Sequence, residues 1–100
     1  MIDDTMPISK LVELERPFKA LANRRRLAIL RLLSNRREAS VSAIASAIKL
    51  SLQATSKHLR ILAAIGIIER EQRRRNQFYH LSPAHNAAVA FLMPHVLSIL

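Results

Sequence analysis

The chain has 100 residues, of which half are hydrophobic and only four are aromatic, and its sixteen Lys and Arg against seven Asp and Glu give a net charge of +9 at pH 7. This length suits one ordinary domain with one core, and the absence of cysteine excludes disulfides, thiolate metal ligands and thiol redox switches. From Arg16 onward, fifteen basic residues face only three acidic ones, a net charge of +12. This excess favours a polyanionic partner, although charge alone fits RNA, a ribosome or an anionic membrane as well as DNA.

The amino-terminal half of the sequence predicts two helices. Apolar residues at helical spacing predict a first helix over residues 6–16, after which Pro17 kinks the path or starts a new turn. Asn23 is a predicted cap for a second helix, which we expect at the centre of the core. Its wide apolar face consists of Leu27, Ile29, Leu30, Leu32 and Leu33. The acidic start of the chain lacks the regions of a signal peptide, so we expect a cytoplasmic protein.

Residues 41–65 have the pattern of a helix-turn-helix. Ser40 can cap a short helix from Val41 to Ile48, and Ser51 can cap a second helix that runs to Ile65, where Gly66 is suited to end it. Both helices have apolar residues on one side only, as expected for elements packed against a core.

The second helix of this motif has a polar side suited to reading base edges. Placing residues about 100° apart puts Leu52, Thr55, Leu59 and Leu62 on the core side and Gln53, Lys57 and Arg60 opposite, flanked by Ser56 and His58. Gln suits adenine, Lys and Arg suit guanine, and Ser or His suits bases or phosphates. The alternative is a polar side that is merely solvated. The candidate DNA-binding residues of this helix are Gln53, Thr55, Ser56, Lys57, His58 and Arg60.

Residues 67–81 have the β-branched and aromatic content of a short hairpin, which we interpret as a basic wing. Its tip carries three further candidate DNA-binding residues, Arg73, Arg74 and Arg75. The alternative is a solvated charge run that discourages pairing between sheet edges. The predicted fold is mainly α with a small β-hairpin, a single winged helix-turn-helix domain in the order α-α-α-α-β-β-α.

Pro83 marks the start of a final helix over residues 83–100. Its apolar residues include Ala84, Ala87, Ala88, Phe91, Leu92, Val96, Leu97, Ile99 and Leu100. The helix is too apolar all round to face water in a monomer, so we expect it to pair in a symmetric homodimer together with the helix over residues 6–16. Packing within the subunit is the alternative. Because polar residues and Pro94 interrupt the apolar run, we expect no membrane insertion.

Several short motifs between Phe18 and Leu81 resemble those of one known family. They are Ala20-Leu21 with Arg26 five residues later, Ile44-Ala45 with Leu50-Ser51, Ser56-Lys57-His58-Leu59 with Leu62, Ile65-Gly66-Ile67-Ile68, and Arg75 with Phe78-Tyr79 and Leu81. Together they resemble the ArsR (arsenical-resistance repressor) family of winged helix-turn-helix transcription regulators. The resemblance implies a homodimer that presents two reading helices to an inverted repeat. It assigns DNA contacts to the positions of Gln53, Ser56, Lys57, His58 and Arg75.

Two departures from the family pattern concern its turns. Lys49 and Arg74 stand where family members usually have Gly. A residue other than Gly at positive φ costs on the order of 1 kcal/mol, so either these turns adopt another geometry or the strain is tolerated.

Two further departures concern metal sites. Ser40 and Ser42 occupy the positions of a Cys pair that commonly binds metals in the family, and hydroxyls cannot replace thiolates as soft-metal ligands. On the last helix His85 and His95 have no acidic residue from Ser82 to Leu100 to complete a site. We therefore expect no metal and no cofactor, and the sequence identifies no effector.

The favoured function is sequence-specific binding of double-stranded DNA by a homodimeric repressor that occupies an inverted-repeat operator. The alternative is a winged-helix module that binds RNA or protein without operator specificity. An enzyme is the weakest option, because the chain has no Cys nucleophile and no phosphate-binding Gly loop, and Ser56 and His58 lack an acid to complete a triad. We therefore predict no catalytic residues.

Overall fold

The computed structural model describes residues 7–83 and the backbone of residues 87–100, with side chains in the last segment from Leu92 onward. Its elements are α1 (Ile8–Leu21), α2 (Arg24–Asn35), β1 (Ala39–Ser40), α3 (Val41–Ile48), α4 (Leu52–Ala64), β2 (Ile68–Arg73), β3 (Asn76–Leu81) and α5 (Ala87–Ile99). The predicted winged helix-turn-helix fold is confirmed, with one short strand added between α2 and α3.

Three helices begin at side-chain caps that the sequence predicts. The Asn23 side-chain oxygen accepts hydrogen bonds from the backbone N–H groups of Arg25 (3.0 Å) and Arg26 (3.2 Å). Ser40 Oγ accepts from the N–H of Ala43 (3.1 Å), and Ser51 Oγ accepts from that of Ala54 (3.1 Å). Such caps satisfy N–H groups that have no partner within the helix, which fixes where α2, α3 and α4 start.

The first helix differs from the prediction, because α1 continues through Pro17 to Leu21. Proline has no N–H to donate, but this removes only one hydrogen bond of the helix. Pro17 is buried, as are Ala20 and Leu21 in the turn that follows. Packing of this last turn therefore outweighs the tendency of proline to interrupt the helix.

The sheet has three antiparallel strands in the order β1-β3-β2. The hairpin pairs Ile68 with Leu81 at its base and Arg73 with Asn76 at its tip. On the other edge of β3, Ala39 lies opposite Tyr79 and Ser40 lies opposite Phe78. The short strand before α3 therefore attaches the wing to the body of the domain.

The core lies where α2, α3, α4 and the base of the hairpin meet. Its largest fully buried apolar side chains, among the described residues, are Ile29, Leu30, Ile44, Leu59, Leu62, Ile67 and Ile68. As predicted, α2 lies at the centre of this cluster. Within the described residues, no helix is long and apolar enough to cross a membrane.

Residues 84–86 of the predicted last helix lie outside the described residues, as do the side chains of Ala87, Ala88 and Phe91. Further along α5, Met93 is buried in the core, and Leu92, Val96 and Leu97 pack against it. Part of this helix therefore packs within the subunit, which is the alternative to dimer pairing.

Candidate nucleic-acid interface

Helix α4 has one side in the core and one side in solvent. Leu59 and Leu62 on its inner side are fully buried, whereas Gln53, Lys57 and Arg60 on its outer side are exposed. Because the inner side chains hold the helix against α2 and α3, the outer ones project from a fixed rod. An amide, an ammonium and a guanidinium on one side of a helix can hydrogen-bond to base edges in the major groove.

In α4, Thr55 lies on the predicted core side but loses its candidate role in DNA binding, and Leu52 lies away from its predicted core position. Thr55, one of the candidate DNA-binding residues, is fully buried, so this candidate assignment is corrected. Its Oγ1 has no hydrogen-bond partner among the described residues. Helical spacing places Leu52 on the core side, but it is 56% exposed, because it is the first residue of the helix and its side chain extends beyond the core. Ser56 is half-buried.

The turn between α3 and α4 has a left-handed residue. Lys49 has φ +56°, and the N–H of Leu50 that follows donates to the Ala45 carbonyl at 3.0 Å. Lys49 thus adopts a conformation that favours glycine and bears the associated strain. Its exposed side chain adds a cation just before the amino terminus of α4, where the helix dipole also favours a phosphate.

His58 points toward α2 and not toward the outer side of α4. Its Nδ1 accepts a hydrogen bond from Arg26 Nε at 3.2 Å, which requires the neutral form of the imidazole. Burial lowers the pKa of His58, and the positive charges of Arg26, Lys57 and Arg25 lower it further. His58 therefore links the reading helix to α2.

Arg25 and Arg26 have structural partners that the sequence does not reveal. Arg26 Nη1 also donates to the Ala20 carbonyl at the end of α1 (3.1 Å), and Arg25 Nη1 donates to the Ile48 carbonyl at the end of α3 (3.0 Å). Cations are favourable at helix carboxyl termini, where carbonyl groups lack partners within the helix. The structure therefore engages both arginines within the protein.

A groove of about 430 Å³ lies between α2 and α3, beside the helix-turn-helix. Among the described residues, its lining contains no acidic side chain and four cationic ones, Arg24, Arg25, Arg31 and Lys49. The groove extends the positive charge from the turn along one side of α2.

The three arginines at the wing tip are not equivalent. Arg74 has φ +55°, and its carbonyl accepts a hydrogen bond from Gln72 Nε2 at 3.0 Å. Arg74 and Arg75 are exposed in the turn. Arg73 instead forms an ion pair with Glu38 and lies 4.0 Å from the centroid of the Phe78 ring. Two of the three predicted tip arginines are therefore free to reach a phosphate, and the third is engaged within the protein.

The residues at the positions of the family's metal-binding Cys pair have structural roles. Ser40 caps α3, and its Oγ lies 3.4 Å from that of Ser42. No group of three or more possible metal ligands occurs within residues 7–83 or at residues 92–100. His85 lies outside the described residues, so the predicted absence of a site there stays a prediction.

The family comparison and the structure comparison both find helix-turn-helix domains. A family model described as a helix-turn-helix domain matches residues 21–71, and no curated protein sequence matches the chain. Among solved structures, the domain of Mb0332 from Mycobacterium bovis is 32% identical, with coverage of 99% of this chain and 88% of that one and a TM-score of 0.76. It is described as a homodimeric winged helix-turn-helix DNA-binding domain of a possible ArsR-family regulator.

Two further solved structures resemble the chain. HlyU from Vibrio cholerae N16961 is 31% identical, with coverage of 91% of this chain and 97% of that one and a TM-score of 0.70. BigR from Xylella fastidiosa, described as a transcriptional repressor, is 26% identical, with coverage of 93% and 85% and a TM-score of 0.70.

Proposed function

The chain belongs to the ArsR family of winged helix-turn-helix transcription regulators, and on that premise we propose that it is a homodimeric repressor that binds an inverted repeat in double-stranded DNA. Each protomer inserts α4 into the major groove of one half-site and lays its wing along the adjacent backbone. The two-fold symmetry of a dimer matches the symmetry of an inverted repeat.

The observation that carries this proposal is the exposed polar side of α4. Gln53, Lys57 and Arg60 are exposed on a helix whose opposite side is fixed in the core. We assign base contacts to these three residues, because their side chains suit adenine and guanine edges. Ser56 is a fourth candidate, whereas Thr55 and His58 are not proposed to contact DNA, since one is buried and the other is bonded to Arg26.

Phosphate contacts are proposed for the exposed cations around α4. Arg74 and Arg75 lie at the wing tip, and Lys49 lies in the turn before α4. Contacts to phosphates fix the register of a protein on duplex DNA but carry little sequence information. These residues should therefore set affinity and its dependence on salt, while the side chains of α4 set sequence preference.

The exposed apolar side of α1 supports the homodimer. Its side chains Ile8, Leu11 and Val12 are 77%, 53% and 45% exposed in the subunit. An apolar patch of this kind on a soluble domain marks an interaction surface. We propose that α1 pairs with its mate or with α5 across the two-fold axis. The similar Mb0332 domain is described as homodimeric.

The alternative, a winged-helix module that binds RNA or protein without operator specificity, receives no support from the similar proteins. Mb0332 is described as a possible transcriptional regulator and BigR as a transcriptional repressor, and regulators of this family are generally without enzymatic activity. A repressor of this kind acts on chromosomal DNA, so we propose the cytoplasm as its location.

The experiment that tests this function is selection of bound fragments from random duplex DNA, followed by affinity measurements on the enriched site. We expect an inverted repeat whose two centres are about 34–36 Å apart, one helical turn, or a multiple of that distance. Each mismatch within a half-site should weaken binding by about 1–3 kcal/mol. Equal enrichment of unrelated sequences would reject the operator and favour the alternative module.

Single substitutions then separate the two kinds of contact. Lys57→Ala and Gln53→Ala should relax preference at particular base pairs, each by about 1–3 kcal/mol. Arg75→Ala should weaken binding to all duplexes alike and reduce the slope of log affinity against log salt by about one unit per protomer. Equal losses on operator and scrambled duplex for all three variants would reject this division.

A further inference from the structure

Arg73 has three partners at the point where the wing turns. It is the last residue of β2 and lies opposite Asn76 in the hairpin. Its guanidinium pairs with the Glu38 carboxylate, lies 3.8 Å from that of Glu71, and is centred 4.0 Å over the Phe78 ring. A planar cation held by two carboxylates and an aromatic face has little freedom to turn toward another ligand.

Glu38 belongs to the body of the domain and not to the wing. It directly precedes β1, whose Ser40 lies opposite Phe78 in the sheet. The Glu38–Arg73 contact therefore joins the segment after α2 to the tip of the hairpin, 35 residues further along the chain. The hydrogen bond and charge of Arg73 lower the pKa of Glu38, and Glu38 in turn raises the pKa of Arg73, so both groups stay charged.

The distribution of acidic residues makes this pair unusual in so basic a chain. After Glu15 only three acidic residues remain, Glu38, Glu69 and Glu71, and the described contacts place all three on or against the wing. A carboxylate beside a DNA-binding surface repels phosphate and should weaken binding. A carboxylate at this place is therefore expected to have a role that outweighs its repulsion of phosphate.

We propose that Glu38 is a positioning residue for DNA binding, which acts through Arg73 to hold the wing at a fixed angle so that Arg74 and Arg75 meet the phosphate backbone. Arg73 is then a part of the scaffold and not a DNA ligand, contrary to the sequence-based expectation. This inference rests on the proposed function and adds to it a residue outside both the reading helix and the wing.

The positioning role of Glu38 predicts a change in DNA affinity opposite to the change expected from its charge alone. Glu38→Gln removes a negative charge and should strengthen DNA binding if charge alone matters. We expect it to weaken operator binding by about two- to fivefold, the effect of losing one exposed ion pair. The salt slope should also fall, because a mobile wing makes fewer phosphate contacts. The matched control is Glu69→Gln, which makes the same charge change at the base of the same hairpin, away from Arg73, and should not weaken binding.

A double-mutant cycle with Arg75→Ala tests whether Glu38 acts through the wing tip. If it does, Glu38→Gln causes a smaller further loss once the Arg75 side chain is absent, since only the Arg74 contact is then left for Glu38 to position. An equal loss in both backgrounds would place the effect of Glu38 elsewhere and overturn the inference. So would unchanged or tighter binding by Glu38→Gln.

A measurement without DNA separates this inference from the proposed function. Amide ¹⁵N relaxation should show lower order parameters at Arg74 and Arg75 in Glu38→Gln than in the unsubstituted protein or in Glu69→Gln. If Glu38→Gln made the wing tip more mobile but the unsubstituted protein selected no operator, the proposed function would be rejected while the positioning role of Glu38 remained supported. If the mobility of the wing tip were unchanged in Glu38→Gln and the protein selected an operator normally, only the positioning role of Glu38 would be rejected.

Discussion

Some polar side chains of the domain bond to backbone groups a few residues away, and others bond to side chains far along the chain. The caps Asn23, Ser40 and Ser51 bond to backbone groups two or three residues away, so the local pattern indicates them. Arg26 and Arg73 instead meet His58 and Glu38, which are 32 and 35 residues away. A run of arginines in a sequence indicates positive charge, but the fold determines which of them form hydrogen bonds or ion pairs within the protein.

The buried hydroxyl group of Thr55 should lower the stability of the folded domain. Its hydroxyl is fully buried, and Oγ1 has no partner among the described residues. Thr55→Val replaces the hydroxyl by a methyl group of similar size, so we expect the free energy of unfolding to rise by about 1 kcal/mol. Urea denaturation measures this change. Operator affinity should stay the same, whereas a lower affinity with unchanged stability would restore Thr55 as a DNA contact.

His58 makes stability depend on pH in a defined direction. Its pKa is lowered in the folded state, so the unfolded chain takes up a proton first as the pH falls below the ordinary value of about 6.5. Stability is therefore complete above that pH and declines toward the lowered pKa of the folded protein. We expect urea denaturation to show that the free energy of unfolding falls between about pH 7.5 and about pH 5.5, limits set around the ordinary value. This fall should be larger than in His58→Gln, in which residue 58 does not titrate. Parallel curves for the two proteins would contradict this role.

The helices and the hairpin are predictable from sequence, while β1 is not. Helices α2, α3 and α4 each have an apolar side and a side-chain cap, and the hairpin has its β-branched residues. By contrast, β1 has only two residues, and it is a strand only because Tyr79 and Phe78 lie opposite it. The predicted end of α1 is wrong for a similar reason, since burial of its last turn outweighs the local effect of Pro17.

The turn between α3 and α4 contains strain that a substitution should release. Lys49 has φ +56°, a conformation that costs roughly 1–2 kcal/mol for a residue with a side chain. Lys49→Gly removes this cost but makes the unfolded chain more flexible, so we expect a net gain of about 0.5 kcal/mol. Lys49→Ala is the matched control, because it removes the same charge without relieving the backbone, and it should show no gain. Thermal unfolding of both variants measures the difference.

The same pair of variants tests the DNA contact proposed for Lys49. Both lose one positive charge beside the amino terminus of α4, so both should bind operator more weakly and with a smaller salt slope than the unsubstituted protein. If only Lys49→Gly bound more weakly, the conformation of the turn and not the charge would be responsible.

The net charge of the chain and its exposed apolar surface indicate different partners. The net charge of +12 carried by the residues from Arg16 onward predicts a polyanionic partner, and the exposed cations of α4 and the wing tip agree with this. The apolar side chains Ile8, Leu11 and Val12 of α1 suit a second copy of the chain. The sequence indicates both surfaces, but the packing of α5 within the subunit cannot be deduced from a helix that is apolar all round.

Leu11→Glu tests whether DNA binding depends on the dimer. Leu11 is 53% exposed in the subunit, so a charge there should leave folding nearly unchanged but disrupt an apolar interface. We expect sedimentation to show a shift from dimer to monomer, and affinity for the full inverted repeat to fall at least ~10-fold, about 1.4 kcal/mol. Affinity for an isolated half-site should change little, because each protomer keeps its own α4 and wing.

The matched control for that substitution is Lys10→Gln, which changes the net charge by the same single unit at an exposed polar position of α1. Lys10 pairs only weakly with Glu13, at 4.0 Å on an exposed surface, so its loss should alter neither folding nor dimerisation. If Leu11→Glu remained dimeric and bound the full operator normally, α1 would not form the interface and the two-fold axis would have to lie elsewhere. If it became monomeric yet kept full affinity for the inverted repeat, the two half-sites would be read independently, and the symmetry of the dimer would contribute nothing to recognition.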